Sequence, residues 1–275
     1  VFLTRLNAAE QAAGRLPAGW SYVLPTESEW EYACRAGTTT AYSWGNDINS
    51  SNANYDQSGI DQTCDVGQYA ANPWGFFDMH GNVWEWTADW YAESYPTGSV
   101  TDPVGPPTGS GRVDRGGSWG GSADFARSAD RYGNEPADSI NQRGFRLCLR
   151  KVNVEEDGMA DNRVVTGASN LEMLWVEPGT FTMGSPASEA GRNVQREDEH
   201  SVTLTKGFYL GKYEVTQAQY EAVMTGNSGV SATPSNWPNK PNRPVEKVSW
   251  NEVQVFLSRL NAAEQAAGRL PAGSE

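Results

Sequence analysis

The side chains best suited to redox, metal or nucleophilic chemistry are few in this sequence. The three cysteines, Cys34, Cys64 and Cys148, are widely spaced, and the two histidines, His80 and His200, each stand alone in the sequence. No two cysteines have the Cys-x-x-Cys spacing that is typical of zinc sites and of thioredoxin-type dithiols. We therefore expect neither a zinc centre nor a dithiol redox site.

One segment, residues 112–131, is rich in glycine and arginine and could recognise anions. Its glycines are Gly116, Gly117, Gly120 and Gly121. They lack the strand–loop–helix context, and the following Gly-Lys-Ser/Thr, of a phosphate-binding loop. The arginines of this segment lie close in sequence to Asp114, Asp124 and Asp130. Because arginine–carboxylate pairs commonly hold loops together, we favour a structural role for these arginines over ligand binding.

The composition predicts a globular, loop-rich and acidic protein. Of the 275 residues, 38% are hydrophobic, and the 29 glycines and 15 prolines indicate many turns. The net charge of −13 favours solubility and argues against binding nucleic acid through its phosphates, which requires a basic surface. No apolar run is long enough to span a membrane. The compartment stays open, with a secreted or periplasmic location favoured over others.

The sequence begins and nearly ends with the same segment. Residues 1–19 and residues 255–273 differ at a single position. Just before the second copy, Ser249 and Glu252 predict a capping box, so this copy belongs to a helix that Gly268 ends. The apolar stripe of this helix consists of Val253, Phe256, Leu257 and Leu260.

Each copy keeps only one of its two expected neighbours, because joining residues 249–273 to residue 20 restores one uninterrupted sequence. We therefore divide the chain into a C-terminal half-domain, residues 1–150, a polar linker, residues 151–169, and an N-terminal half-domain, residues 170–275. Together they make one circularly permuted domain with a duplicated terminal helix. One period of a head-to-tail array, or an engineered or truncated chain, explains the repeat equally well. The spare helix is expected to bind a neighbouring chain, giving a swapped dimer or an open polymer.

Capping boxes also predict two short helices. Thr26 begins one that ends near Gly37, and Thr216 begins another that ends near Met224. Strand-like stretches with turn signals occupy residues 172–185 and 200–216. Short helices and irregular strands, without alternating strands and helices, predict an α+β fold.

Read in the restored order, seven segments resemble the formylglycine-generating enzyme family, whose members are also called sulfatase-modifying factors. These segments are EPGTFTMGS, GFYLGKYEVT, RPVEKVSW, LPTESEWEYACRAG, GNVWEW, RVDRGGSW and GFR. The resemblance covers nearly the whole chain in permuted order. It implies an irregular, loop-rich α+β fold related to that of C-type lectins, which hosts several functions.

The oxidases of this family use two cysteines, five residues apart, which bind copper and oxidise a substrate cysteine to formylglycine. The resemblance places Gly121 and Ala126 at these two positions. Copper(I) is held by soft thiolate ligands, so we expect no copper and no oxidase centre. The alternative is a formylglycine-generating oxidase, or another oxidoreductase that acts on a sulfatase cysteine in the same groove.

The resemblance also implies calcium sites. The ligands of the first would be Asp78, Gly81, Val83 and Glu85. Two carboxylates and two backbone carbonyls suit calcium, which takes six to eight oxygen ligands. The alternative is a turn with its two tryptophans buried and Glu85 bound to neighbouring backbone. A second site would include Asn54 and Tyr55, with a carboxylate from residues 56–61.

Cys34 stands where some family members have one half of a disulfide. The partner in those members directly follows the Gly-Phe-Arg segment, whereas here Leu147 precedes Cys148. A shift of one residue in a strand reverses the face to which the side chain points. A Cys34–Cys148 disulfide and a pair of buried free thiols both stay open, and Cys64 has no partner in either case.

The segment between Gly-Gly-Ser-Trp and Gly-Phe-Arg lines the outer groove of the family fold. Its candidate ligand-binding residues are Trp119, Ser122, Asp124, Phe125, Tyr132, Asn134 and Asn141. Aromatic anchors among small polar side chains form an adaptable binding surface. We therefore favour a non-catalytic recognition or scaffold module that binds a protein or a small molecule. The segment also resembles the variable regions of diversity-generating retroelement proteins, which use this fold to bind ligands.

Overall fold

The computed structural model describes residues 20–151, 165–166 and 171–267. Its helices are α1 (Glu27–Arg35), α2 (Gln217–Met224) and α3 (Trp250–Ala266), with short 3-10 helices at Asp56–Ser58 and Ala123–Ala126. The strands are β1 (Trp20–Val23), β2 (Trp84–Trp90), β3 (Val100–Thr101), β4 (Arg112–Arg115), β5 (Arg131–Asn134), β6 (Arg143–Gly144), β7 (Cys148–Lys151), β8 (Val165–Thr166), β9 (Glu172–Val176), β10 (Gly179–Met183), β11 (His200–Leu204) and β12 (Phe208–Gly211). Most of the intervening chain forms loops, as the glycine and proline content predicts.

These strands form three sheets. Their strand orders are β1-β7-β12-β9-β8, β10-β11-β3 and β5-β4-β2-β6. In the first sheet, antiparallel pairing of Leu149 with Tyr209 joins β7 to β12. The residues on either side of the 152–164 segment therefore share one sheet. The mixture of short helices and small sheets confirms the predicted α+β fold, and no described helix is long and apolar enough to cross a membrane.

Local sequence determines where the helices begin and end. The Thr26 hydroxyl accepts a 3.2 Å hydrogen bond from the Glu29 N–H, and the Glu29 carboxylate accepts one of 2.7 Å from the Thr26 N–H. Ala36, with a φ of 46°, caps the C-terminus of α1, and Gly37 follows with a φ of 86°. Capping boxes of the same kind begin α2 and α3. The predicted helix starts are confirmed, while Gly268 lies outside the described residues.

The second copy of the repeated segment forms most of α3 and packs into the core. Its predicted apolar stripe is buried and comprises Val253, Phe256, Leu257 and Leu260. The Asn261 side chain binds both the N–H and the C=O of Tyr22, at 2.8 Å each. Phe256 stacks on Tyr220 with 5.2 Å between ring centroids. These contacts fix α3 against β1 and α2; the first copy, residues 1–19, lies outside the described residues.

The predicted linker, residues 151–169, contributes short strand segments. Lys151 ends β7, and Val165–Thr166 form β8, which pairs antiparallel with β9. Both residues of β8 are β-branched, and such residues favour extended structure. The rest of the linker lies outside the described residues.

Helix α1 presents a row of buried carboxylates to arginines from distant segments. These carboxylates belong to Glu27, Glu29 and Glu31. Arg131 binds both carboxylate oxygens of Glu27, at 2.6 and 2.7 Å. Arg115 binds Glu31, and Arg150 binds both oxygens of Glu29 at 3.0 Å. The helix is therefore held on its polar side by charge pairs rather than by water.

Two further arginines make bidentate pairs in the interior. Arg127 binds both oxygens of Glu197, at 2.7 and 2.9 Å, and Arg146 binds both oxygens of Glu85, at 2.6 Å each. The predicted structural role of the arginines is thus confirmed. The partners in these bidentate and buried pairs lie 61 to 121 residues away along the chain, although the nearby Asp130 also lies 3.7 Å from Arg127.

Glu31 provides a test of this buried network. Replacing it with Ala should lower the free energy of unfolding by about 3–5 kcal/mol, because Arg35 would stay buried without its carboxylate and Arg115 would keep only the longer 3.6 Å pair with Glu27. Urea unfolding measures the loss. The matched control is Asp198→Ala, since the Asp198 side chain is 68% exposed beside Arg192 and should contribute at most about 1 kcal/mol. Equal losses in the two variants would contradict a dominant role for the buried pairs.

Candidate functional site

Three aromatic rings form a cluster in the predicted groove. The centroid of Trp84 lies 5.9 Å from that of Phe125 and 5.6 Å from that of Tyr132, and Phe125 and Tyr132 are 5.6 Å apart. The Arg196 guanidinium lies 4.2 Å from the Tyr132 ring centroid. Phe125 and Tyr132 are partly exposed, whereas Trp84 is 8% exposed. The cluster therefore offers two accessible rings backed by a buried one.

A second aromatic pair is centred on Trp119. Its indole N–H donates a 3.0 Å hydrogen bond to the carbonyl of Asn141, which joins two of the predicted groove residues. Its ring meets that of Trp237 edge to face, with centroids 5.4 Å apart. Trp237 belongs to the loop before α3, so sequence reasoning, which took the groove from one segment, missed it.

The other predicted groove residues lie between or beside these rings. The Ser122 carbonyl accepts a 3.0 Å hydrogen bond from the Phe125 N–H, which shapes the short 3-10 turn. Asp124 is exposed. Its carboxylate lies so close to Gly191 that a Cβ atom added to Gly191 would be only 2.3 Å from it. The Asn134 amide donates a 2.9 Å hydrogen bond to Asp114. Asn134 is therefore partly committed to the fold, whereas Asp124 and Ser122 border the aromatic cluster.

Behind this surface, Cys34 and His80 form a buried contact that sequence spacing did not reveal. Their Sγ and Nε2 atoms are 3.6 Å apart. Nε2 accepts a 3.1 Å hydrogen bond from the Ser43 N–H, so the ring proton lies on Nδ1, which donates to the Ala126 carbonyl at 2.7 Å. Burial raises the pKa of Cys34 to about 12 and lowers that of His80 to about 4. At neutral pH the pair is a thiol beside a neutral imidazole, which is not an activated nucleophile.

The predicted Cys34–Cys148 disulfide is absent, because all three cysteines are buried free thiols. The Cys34 sulfur faces His80 near the last turn of α1. The Cys148 sulfur instead lies 3.9 Å from the carboxylate of Glu29, in the first turn. Five helical residues span about 7.5 Å along the axis, so the two sulfurs approach different parts of α1. The structure thus contains the free-thiol alternative, and Cys64 is buried near Asn82.

Comparison with known proteins agrees with the fold. The sulfatase-modifying factor enzyme 1-like domain matches residues 6–151 and residues 160–275, which is most of the chain. The chain belongs to this family.

The proteins that are similar to this chain carry several different names. A formylglycine-generating enzyme of Bos taurus is 34% identical over 140 residues, covering 45% of this chain and 37% of that protein. A serine/threonine-protein kinase pkn1 of Chlamydia caviae is 42% identical over 133 residues, covering 47% of this chain and 21% of that protein. The solved structure of Treponema denticola variable protein 1 is 38% identical, with a TM-score of 0.43 over 47% of this chain and 48% of that one. The chain thus matches less than half the length of each.

The sulfatase-modifying factor resemblance assigns the oxidase cysteine positions to Gly121 and Ala126. Ala126 is 1% exposed and its carbonyl is bound to His80. A Cβ at Gly121 would lie 3.2 Å from the Phe125 ring, so even a small side chain there would require a slight shift of that ring. Neither residue carries a metal-binding or nucleophilic group, so these two positions serve packing and backbone hydrogen bonding.

The first calcium loop of the resemblance fits only in part. One Asp78 carboxylate oxygen accepts a 2.6 Å hydrogen bond from the Gly67 N–H, while its other oxygen is buried without a partner and could serve a cation. Both oxygens of Glu85 are already bound by Arg146, and one also by the Trp30 indole N–H at 2.7 Å. Glu85 is therefore a counter-ion of Arg146 in this arrangement and does not fit the predicted role of calcium ligand.

The backbone positions of this loop are held by tight turns. Asp78, Gly81 and Asn82 have φ values of 54°, 90° and 61°. A Cβ at Gly81 would lie 2.3 Å from the Asn54 carbonyl oxygen, so only glycine allows this approach. The turn places Val83 at the entry to β2. Trp84 and Trp86 are buried, as in the alternative prediction of a structural turn, although Glu85 binds side chains rather than backbone.

The second calcium loop is brought against the first. The Asn54 carbonyl accepts a 2.8 Å hydrogen bond from the Asn82 N–H. The Asn54 side chain accepts from the Ser58 hydroxyl at 2.8 Å and donates to the Gln62 carbonyl at 2.9 Å. Tyr55 is buried, whereas Asp56 and Asp61 are exposed. The Asn54 amide thus stabilises its own loop, and a calcium role for Asn54 and Tyr55 stays a prediction.

A further carboxylate, that of Glu214, completes the surroundings of Asp78 and was not singled out from the sequence. One of its oxygens accepts a 3.0 Å hydrogen bond from the Asn82 amide. Burial, and then the charge of Asp78, raise the pKa of Glu214 well above its usual range. Across the described ranges, no three His, Cys, Asp or Glu side chains converge into a group able to hold a metal. A cation here would therefore need backbone or amide oxygens in addition to these two carboxylates.

The buried imidazole of His80 makes stability depend on pH. Its pKa in the folded state is about 4, lower than the ordinary value of 6.5. The unfolded chain thus binds more protons between these values, and the free energy of unfolding should fall as the pH drops from about 6.5 to 4. A pKa shift of this size corresponds to roughly 3 kcal/mol of the free energy of unfolding. Urea unfolding across this range should show the loss in the wild type and a smaller one in His80→Gln. Parallel curves would refute the assignment.

Proposed function

We propose that this chain is a non-catalytic recognition or scaffold module of the sulfatase-modifying factor family. It binds a protein or a small ligand through the groove between the Gly-Gly-Ser-Trp and Gly-Phe-Arg segments. The observation that carries the proposal is the contrast between the groove and the thiols. The groove offers the partly exposed rings of Trp119, Phe125 and Tyr132, whereas the three cysteines are buried.

The state of the thiols supports the non-catalytic part of the proposal. Formylglycine formation by the family's oxidases depends on thiolates that bind copper, and a thiolate requires an accessible thiol or one whose pKa is lowered. Burial instead raises the pKa of Cys34 and of Cys64 to about 12, and raises that of Cys148 well above its usual value. No described cysteine lies within the 119–141 segment.

The polarity of the groove supports the recognition part. Aromatic rings supply contact area at a low cost in side-chain entropy, and nearby polar groups provide hydrogen bonds. Trp119 and Phe125 flank residues 120–124 in the sequence. Within this segment, Ser122 and Asp124 provide side-chain oxygen atoms. Trp237 extends the surface onto the loop before α3. A ligand with a flat apolar face and several hydrogen-bond donors suits this combination.

Aromatic variants test the groove. Glycan arrays and displayed-peptide libraries should yield binders whose affinity falls tenfold or more, about 1.4 kcal/mol, on Trp119→Ala or Phe125→Ala. The matched control is Trp74→Ala, because Trp74 is 36% exposed but packs on Tyr32 instead of the groove rings. Calorimetric titration of the selected binders measures the change. Binders that respond equally to all three variants would show that the groove assignment is wrong.

The same preparation tests the oxidase alternative. Copper(I) titration and incubation with a peptide carrying a sulfatase-type cysteine motif should give neither tight copper binding nor an aldehyde product. Mass spectrometry detects the loss of the thiol and the gain of the aldehyde in the peptide. Turnover, or copper binding that is lost on Cys34→Ser, would replace the recognition proposal with an oxidoreductase.

We also propose that the chain self-associates through its duplicated helix. Three of the α3 side chains in the core, Phe256, Leu257 and Leu260, are repeated with the same spacing as Phe2, Leu3 and Leu6. Leu6 and Asn7 correspond to Leu260, which is buried, and Asn261, which binds the Tyr22 backbone. The core surface on which α3 packs has the shape and the hydrogen-bonding groups to accept residues 1–13 of another chain. Exchange of these segments would give a swapped dimer or an open polymer.

Matched substitutions in the two copies test this exchange. The wild type should show masses above that of the monomer in light scattering at high concentration. Leu6→Asp should return it to monomer without changing its unfolding free energy. The same change at Leu260 should cost at least about 3 kcal/mol, since this position is fully buried. A wild type that stays a compact monomer at high concentration would contradict self-association.

A further inference from the structure

The groove borders a positive charge that has no carboxylate partner. Most of the described arginines have a carboxylate within ion-pair distance. The described arginines that have none are Arg112, Arg196 and Arg259. Arg112 lies between two indole rings, at 3.6 and 3.9 Å from their centroids, and Arg259 donates to two carbonyls at the end of α2. Arg196 differs from both because it contacts Tyr132, a ring of the groove.

The guanidinium of Arg196 is held in place, yet it keeps donors for a ligand. It lies 4.2 Å from the Tyr132 ring centroid, and its Nη1 donates a 3.1 Å hydrogen bond to the Arg131 carbonyl. A guanidinium has five N–H donors in one plane, so this hydrogen bond leaves others available. The side chain is partly exposed. Since its position on the ring is set before a ligand arrives, little side-chain entropy is lost on binding.

The carboxylates next to Arg196 are engaged elsewhere. Glu197 binds Arg127 through both of its oxygens, and Asp198 pairs with another arginine of the same loop. Asp130 lies 3.7 Å from Arg127, and burial raises the pKa of Asp130 to about 7, so a part of this carboxyl is uncharged at neutral pH. A ligand carboxylate would therefore meet a guanidinium that the described carboxylates leave unpaired.

The rings beside Arg196 are steeply inclined to each other. The planes of Phe125 and Tyr132 meet at 89°, and those of Trp84 and Tyr132 meet at 72°. Sugars bind aromatic residues by stacking on a flat face, and rings inclined in this way offer no continuous face. Aromatic side chains prefer edge-to-face contacts with centroids about 4.5–7 Å apart, so a further ring can join the cluster in the same manner. The geometry therefore favours an aromatic peptide side chain over a sugar.

We propose that the groove binds an acidic peptide segment, in which an aromatic side chain packs against Phe125 and Tyr132 and a neighbouring carboxylate binds Arg196. This ligand class rests on the recognition function proposed above. A carboxylate matches the planar guanidinium fork with two parallel hydrogen bonds, so Arg196 selects the anion while the rings select the apolar group. Because the net charge of the chain is −13, an acidic peptide is repelled by most of the surface, and this positive charge determines where it binds.

An array of synthetic peptides tests the ligand class. Its members carry a central tryptophan or tyrosine whose neighbours are acidic, amide or basic residues. The full chain should bind acidic members at least about tenfold more tightly than the matching amide members, because an ionised acceptor strengthens the hydrogen bonds from a guanidinium. Calorimetric titration with the best acidic peptide and its amide counterpart measures this ratio. Phe125→Ala should weaken the binding of both peptides.

Arg196→Gln tests the contact itself. This variant should lose about tenfold in affinity for the acidic peptide and little for the amide peptide, so that the ratio between them falls to about one. The matched control is Arg192→Gln, which removes the same charge from the same loop, although Arg192 pairs with Asp198 at 2.5 Å. This control should keep the wild-type ratio. Circular dichroism verifies that each variant is folded.

The results that would overturn this ligand class differ from those that would overturn the recognition function. Amide or basic peptides that bind as tightly as acidic ones, or a ratio that Arg196→Gln leaves unchanged, would reject the acidic peptide even where Phe125→Ala still weakens binding. Glycans that bind through Phe125, in the absence of any peptide binder, would reject it as well. An equal fall of the ratio in Arg192→Gln would show a general charge effect instead of a contact with Arg196. If no ligand responds to Phe125→Ala, the groove assignment and the ligand class are both wrong.

Discussion

Paired charges in the interior are the constraint on which this structure depends most. The described residues form small sheets and short helices, and long loops join them, so backbone ladders alone cannot fix the loops. Buried arginines do so instead. Arg115, for example, contacts Glu31 and also donates to the Ser128 and Ala129 carbonyls, so it ties α1 to the segment after the 3-10 turn. A buried pair stabilises little relative to an apolar pair, but the loss of one partner is severely destabilising. Such pairs therefore restrict the loops to one arrangement.

This constraint explains how the groove surface can be well positioned although it lies largely on loops. The groove segment is fastened at its ends: Arg127 is bound by Glu197 and by the Gly191 carbonyl, and Arg131 is bound by Glu27. Between these anchors the side chains of residues 119–125 carry no structural charge pair that binding would have to break. Phe125 and its neighbours can then contribute to recognition while the backbone beneath them stays fixed. Rigid positioning of this kind limits the entropy lost on binding.

What the sequence predicted correctly was local or periodic. Capping boxes depend on residues three apart, so the starts of all three described helices could be predicted, and so could the buried stripe of α3. Pairings between residues far apart in the sequence could not be predicted. Arg127 does pair with the nearby Asp130 at 3.7 Å, but its shorter, bidentate partner is the distant Glu197, which the fold places within 3 Å. His80 and Cys34 meet through the same long-range folding, which no spacing along the chain encodes.

The order of segments along the chain matters less than the contacts between them. Residues 20–151 and 171–267 share a sheet at β7 and β12, an ion pair at Arg127–Glu197 and the hydrogen bonds of Asn261 to Tyr22. If either part were alone, buried guanidinium groups and strand edges would be left without partners, at a cost that a small domain cannot offset.

The groove lies across this join, since Trp119 meets Trp237. A ligand bound in the groove, as proposed, would contact both parts and so stabilise their union by mass action. On this proposal, binding and assembly are one linked equilibrium. The same linkage holds whether the second part comes from the same chain or from a neighbour, because the contacts depend on the side chains and not on the connection.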